Sequence, residues 1–319
     1  MKKLIFLFLL IPIIASGQIT SKILPSLKPP SERIALAAYE AESEAIFAAM
    51  GTTPNDARKT LIDNLVKGLK DDGVWTLLDF FYLLAAHAEN SSLLNWINPG
   101  TFDATNVSST AFEVDRGYTG DGTADYLNSN YNPNTDGINY VLDDASFGVY
   151  VRTNVSEDAI DIGARDKTPP QALISLITRA NTWGVETWTR VNELSAMTVA
   201  STDSRGFYIS TRTGTNQRDC YKNETNIISD NQVSVKLVDK EIYILCRNEN
   251  GVPGYYSTKQ IAAAFTGSGM TQTNVDNFTD RIETFMDAIN AGVISEMMWL
   301  ILLLIPNIRR KEEEFKIAA

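Results

Sequence analysis

The sequence holds one histidine, His87, and two cysteines, Cys220 and Cys246. A single imidazole excludes histidine-rich metal sites and leaves a Ser-His-Asp triad one place to form. Two thiols cannot build a structural zinc site unaided. In an exported chain they either form a disulfide or remain small buried apolar groups. Basic residues are also short: 28 Lys and Arg stand against 39 Asp and Glu, a formal charge of −11. No Lys/Arg stripe relieves that balance, so a phosphate backbone is repelled and nucleic acid is not an expected partner. The chain also lacks an unbroken apolar run of the roughly 20 residues that a spanning helix needs.

What is present begins with Lys2 and Lys3, an apolar stretch from Leu4 to Ile14, and small residues Ala15-Ser16-Gly17. That order predicts a signal peptide over residues 1–17 and export to the envelope or beyond, the alternative being an uncleaved anchor. Pro25, Pro29 and Pro30 make residues 18–30 a linker. At the other end, residues 292–319 form an apolar segment with a charged tail. Met297 to Ile305 is continuous, and Arg309-Arg310-Lys311 follow it. An apolar run closed by basic residues has the form of a stop-transfer segment, which would associate the protein with a membrane. The alternative is an amphipathic or oligomer-buried helix.

Residues 31–90 read as a helical lead-in. Ser31 is placed to cap a helix reaching about Met50. Thr53, Pro54 and Asp56 restart a second, with Leu61, Leu65 and Leu69 on one face. The run from Val74 to His87 is apolar on most sides, which predicts a buried third helix with His87 near its C-terminus.

From residue 91 to 269 short alternating runs separated by turn residues predict an antiparallel β-sandwich. Phe147, Val149 and Val151 share one face, as do Phe207 and Ile209, Val233, Val235 and Leu237, and Ile242, Ile244 and Cys246. Tyr221-Lys222-Asn223-Glu224 reads as a hairpin turn. Over residues 270–291 a packing helix is expected, capped by Thr271, with Val275, Phe278, Ile282, Phe285 and Ile289 forming one stripe.

Several phrases carry a resemblance. Asp115-Arg116-Gly117-Tyr118-Thr119-Gly120-Asp121-Gly122 followed by Tyr126-Leu127 resembles the opening of concanavalin A-like, laminin G-like jelly rolls. Tyr221-Lys222-Asn223 resembles their "Y-x-N-G" turn, with Glu224 in the glycine's place. Ile242 to Asn248 resembles "I-Y-I-G-x-R-N", with Leu245 replacing glycine. From about Arg33 to Ala288 the chain is similar to proteins of phages, prophages and bacterial surfaces that join a helical lead-in to one such domain. The resemblance implies a mainly β jelly roll in an outer-surface or virion setting, and no chemistry.

No catalytic residue is expected. Some concanavalin A-like folds hydrolyse glycosides through E-x-D-x-x-E, but after Glu113 and Asp115 the third position is Tyr118. Glycan binding asks for exposed aromatics beside amides, which points to Tyr126, Asn128 and Tyr131, and to Trp183 and Trp188. Asp115, Asp121 and Asp125 among glycines have the ligand chemistry of calcium, or are ordinary turn residues. Three functions follow. The first is an exported binding or adhesion module for glycans or a partner protein. The second is a structural virion protein such as a tail fibre or spike. The third, disfavoured by Tyr118, is a secreted glycoside hydrolase.

Overall fold

The computed structural model describes residues 39–182 and 184–294. The expected signal peptide, linker and Ser31 cap, Trp183 and the apolar run after residue 294 lie outside the described residues. Among those described, no helix is long and apolar enough to cross a membrane.

Two helices come first, α1 (Ala41–Ala49) and α2 (Asp56–Asp71). The α2 cap is Asn55 rather than Thr53: its side chain accepts the Arg58 N–H at 2.9 Å. Strands β1 (Leu78–Leu83), β2 (Thr105–Val107), β3 (Ala111–Glu113), β4 (Gly117–Thr119) and β5 (Tyr126–Asn128) precede a one-turn helix α3 (Pro133–Asp136). Next are β6 (Ala145–Val151), β7 (Ile162–Asp166), β8 (Ala172–Ile177), β9 (Glu186–Glu193) and β10 (Met197–Ala200). Then come β11 (Gly206–Gly214), β12 (Gln217–Lys222), β13 (Thr225–Asp230), β14 (Tyr243–Ile244), β15 (Arg247–Glu249), β16 (Pro253–Gly254) and β17 (Gln260–Gly267). Helix α4 (Gln272–Ala288) follows them.

The strands form two sheets, which pack as a jelly-roll-type sandwich. The first runs β13-β12-β11-β6-β17-β4-β3, with β1 also beside β17. The second runs β10-β9-β8-β7-β14-β5-β2, with the β15–β16 hairpin joined to β7. Every pairing is antiparallel except β15 with β7. Between the sheets lie Phe80, Tyr82, Phe147, Val149, Ile162, Ile174, Val191 and Ile244. The first sheet buries its other face as well, under the three longer helices. There Phe278 of α4 meets Phe81, Phe207 and Phe265 with ring centroids 5.7, 5.0 and 4.9 Å apart.

That second burial explains where the sequence misleads. The run expected as a third helix is a single 3-10 turn at Trp75–Leu77 followed by strand β1. A strand covered on both faces is apolar on both faces, so it loses the period-2 signal and imitates a buried helix. Asp79 within it accepts the N–H groups of Ile138, Asn139 and Tyr140 and the Tyr131 hydroxyl, and so ties a loop to the strand. His87 sits on no helix; it follows the strand and contacts the Thr52 carbonyl at 2.9 Å. The alternation Val233, Val235, Leu237 is not a strand either. Val233 and Val235 are exposed, and the backbone makes single bonds to Thr215 and Asn192 rather than a ladder.

The expected last helix is present with its cap. Thr271 and Asn274 bond each other's backbone N–H in a capping box, and all five stripe residues are buried. The two cysteines are free. Cys220 lies in the first sheet and Cys246 beside the second, each buried, and burial pushes the Cys220 thiol up to about 12. The disulfide is therefore not formed.

Candidate functional site

The second sheet has one face in the sandwich core and one turned outward. Alternation assigns its residues: Ala164, Ile174 and Val191 face the core, so Arg165, Ser175 and Arg190 face out. Strand register extends the outer row, because Arg190 opposes Ser175, Ser175 opposes Gly163, and Gly163 opposes Tyr243.

On this face lies a cavity of about 360 Å³. Its apolar wall is Ile160, Leu173 and Ile177, and Leu194 and Tyr255 contribute at its edge. Three arginines complete it: Arg165 from β7, Arg190 from β9 and Arg247 from β15. Arg247 arrives through a chain reversal. β14 runs antiparallel to β7 while β15 runs parallel to it, so Leu245 and Cys246 must turn the chain back. Leu245 does so at φ 68°, the left-handed region where the resembling domains carry glycine. Its fully buried side chain offsets the strain of about 1–2 kcal/mol.

The charges are uneven. Glu249 pairs with Arg247, with Lys167 at 3.0 Å and with Arg165 at 3.6 Å. Arg165 also donates to Gln171 at 2.8 Å, and Arg247 lies over the Tyr255 ring, 4.5 Å from its centroid. Arg190 donates to the Leu194 carbonyl at 2.9 Å and the Ser175 hydroxyl at 3.3 Å, and lies over Trp188 at 5.7 Å. It has no ion pair among the described residues. Burial, and then the nearby Arg247, pull the Arg190 guanidinium down to about 10. The Nε–H groups of Arg165 and Arg247 are buried without a hydrogen-bond partner.

The residues expected from the sequence do not line this cavity. Trp188 is half-buried beside it, packed on Ile160, Ile177 and Ala180. Tyr126 lies farther along the same face, its ring 4.6 Å from that of Tyr243. Asn128 is held by Glu241 at 2.8 Å. Tyr131 cannot contact a ligand: it is fully buried, with its hydroxyl 2.6 Å from Asp79. The aspartates do not assemble either. Asp115 pairs with Arg58 at 2.7 Å. Asp121 spends its carboxylate on its own loop, accepting from the N–H groups of Ala124, Asp125 and Thr123 and from the Thr123 hydroxyl. These bonds, Ala124 foremost, hold its carboxyl well below the usual range. No group of three or more His, Cys, Asp or Glu among the described residues is placed to hold a metal ion. Glu113 accepts from Gln260 at 2.9 Å, while Asp115 lies past the end of β3 in a turn at φ 58°, so the two share no strand face.

The arginines were missed because they are remote in sequence. The one local signal was Thr187-Trp188-Thr189-Arg190-Val191, whose alternation puts Trp188 and Arg190 on the same side.

No protein-family profile and no curated protein sequence matches the chain. Among solved structures it is similar to a Trypanosoma rangeli sialidase in complex with 2,3-difluorosialic acid, with TM-score 0.46 and 12% identity over 75% of this chain and 41% of that one. It is similar to the binding domain of botulinum neurotoxin serotype D, with TM-score 0.44 and 10% identity over 65% and 52%. It is also similar to the CBM40 of a Ruminococcus gnavus IT-sialidase, with TM-score 0.33 and 15% identity over 44% and 84%. The chain spans about two fifths of the length of the sialidase it matches.

Proposed function

We propose that the protein is an exported, non-enzymatic binding module that presents the outer face of its second sheet to a glycan. The cavity carries this reading: an apolar wall with a few convergent polar groups is how small-ligand sites are built, and they range over about 300–1,000 Å³. A volume near 360 Å³ suits a sugar residue rather than a long chain segment. Tyr255, 43% exposed, offers a ring face on which a sugar's C–H face can stack. Export is supported by Lys2, Lys3 and the apolar stretch after them. Retaining glycoside hydrolysis needs two carboxyl groups about 5–5.5 Å apart. Among the residues of this cavity and their ion-pair partners, Glu249 is the single carboxylate, and three cations hold it.

The test is a screen of the full chain against immobilised glycans, repeated with Tyr255→Ala. Binding that falls with Tyr255→Ala, without release of reducing sugar, is the expected result. Absence of binding to every glycan, or sugar release that survives in the pure protein, sinks the reading.

A further inference from the structure

We propose that the cavity selects an anionic sugar, one carrying a carboxylate or a sulfate, which Arg190 meets and which displaces Glu249 from Arg165 and Arg247. This rests on the binding-module reading and names the chemistry of its ligand.

The first argument is charge. Three arginines, Arg165, Arg190 and Arg247, gather in one cavity, and the carboxylate Glu249 pairs with Arg165, Arg247 and Lys167 but not with Arg190. They do so in a chain whose formal charge is −11, where carboxylates are the commoner partner. Like charges brought together in a partly dry site repel, and Arg190 has no ion pair among the described residues: its bonds go to one carbonyl and one hydroxyl, and it lies over the Trp188 ring.

The second argument is hydrogen bonding. A buried N–H without an acceptor costs free energy, and Arg165 and Arg247 each carry one at Nε. A planar guanidinium presents its donors in a fork that fits the oxygens of a carboxylate or sulfate. The lowered pKa of Arg190 points the same way: burial and the nearby Arg247 disfavour its charged form, which an arriving anion would offset. The third argument is size. A cavity of about 360 Å³ admits one charged group and its ring, so a longer acidic chain would place a single sugar in it.

The experiment is calorimetric titration of the full chain with three probes: a heparin-derived hexasaccharide for sulfate, hexagalacturonate for carboxylate, and neutral maltohexaose. At least one acidic probe should bind, with maltohexaose at least tenfold weaker. Arg190→Gln should weaken that binding about tenfold or more, the equivalent of one charge-assisted hydrogen bond. Arg205→Gln removes the same charge from an exposed pair with Asp203, outside the cavity lining, and should leave binding unchanged. Glu249→Gln should tighten binding severalfold, a change opposite in sign to the loss of a merely structural ion pair. If an acidic probe binds but ignores both Arg190→Gln and Glu249→Gln, the inference is overturned. If maltohexaose binds as well as the acidic probes, and loses binding with Tyr255→Ala, the anionic inference fails while the binding module stands. If no probe binds and the glycan screen is also blank, both fail.

Discussion

Strand β9 carries two charged clusters on opposite faces. Inward, Glu193 joins Arg218 and, at 2.6 Å, Arg212; the two arginines are fully buried and Glu193 is 1% exposed. Arg218 also holds Asp230 at 2.5 Å, and Arg212 donates to the carbonyls of Val191, Thr215 and Gln232 at 3.1, 2.9 and 2.9 Å. Outward, Arg190 shares its cavity with two more arginines and finds no carboxylate. The inner cluster matches its charges and stitches β9 to β11, β12 and β13, so it joins the two sheets. The outer cluster is short of acceptors and joins little. Equal residue types therefore sit in different settings: the inner set is matched in charge, and the outer set is not. A second matched pair, Lys259 with Asp161 at 3.0 Å and both fully buried, belongs with the inner set.

The comparison breaks most easily at Arg212. Arg212→Gln leaves Glu193 with half its charge partners and strands several carbonyls, so unfolding by denaturant should show a loss of about 3–5 kcal/mol. A loss below about 1 kcal/mol would mean the inner cluster holds nothing together.

Leu245→Gly separates backbone from side chain at the reversal that delivers Arg247. Glycine takes φ 68° without strain, but a fully buried leucine is removed. Side-chain loss costs about 2–5 kcal/mol against about 1–2 kcal/mol of strain relieved. Net destabilisation with acidic-probe affinity retained is the expected result; lost affinity at intact fold would show that the leucine side chain itself shapes the cavity.

For Arg190→Gln the expected change in unfolding free energy is within about 1 kcal/mol of zero, with a gain as acceptable as a loss, since a desolvated cation without an ion pair is removed. A loss near that of Arg212→Gln would put the outer cluster in the same class as the inner one.

The smallest effect is with pH. Burial alone would raise the Glu249 carboxyl, but Arg247, Lys167 and Arg165 hold it below its usual value. A carboxyl lowered in the folded state adds stability above the unfolded value, near about pH 4.3, and that contribution disappears as pH falls through the lowered folded value. Below about pH 4 stability should therefore fall slightly. The heparin hexasaccharide, whose sulfates stay ionised, should bind more tightly as Glu249 loses its charge. Titrations of wild type and Glu249→Gln check this; an identical pH response in both rules Glu249 out.

How legible the molecule was in its sequence differs between elements for physical reasons. Helix α4 could be read with its cap because Thr271 and the apolar stripe are local signals, repeated every three or four residues. Strands β6 and β11 could be read from aromatic and β-branched runs bounded by turns. β1 could not, because helices cover its second face and erase the alternation. Tyr131 and Tyr126 look alike in an Asn-rich stretch, yet Tyr131 points into the core, where Asp79 takes its hydroxyl, and Tyr126 points out. Tyr126 lies on β5, whereas Tyr131 follows that strand after a left-handed turn at Asn130 (φ 54°), which local pattern does not announce.

Composition and local pattern determined the class of fold, the net acidic charge, and the exclusion of histidine-rich metal sites, because these follow from residue counts and short-range periodicity. The cavity was decided by tertiary structure alone. Arg165, Arg190 and Arg247 sit on three strands that come together only when antiparallel pairing and the reversal at Leu245 bring them to one face. Whether an arginine is matched or unmatched depends on which side of a strand it occupies, and that is settled only when both sheets have closed over their shared core.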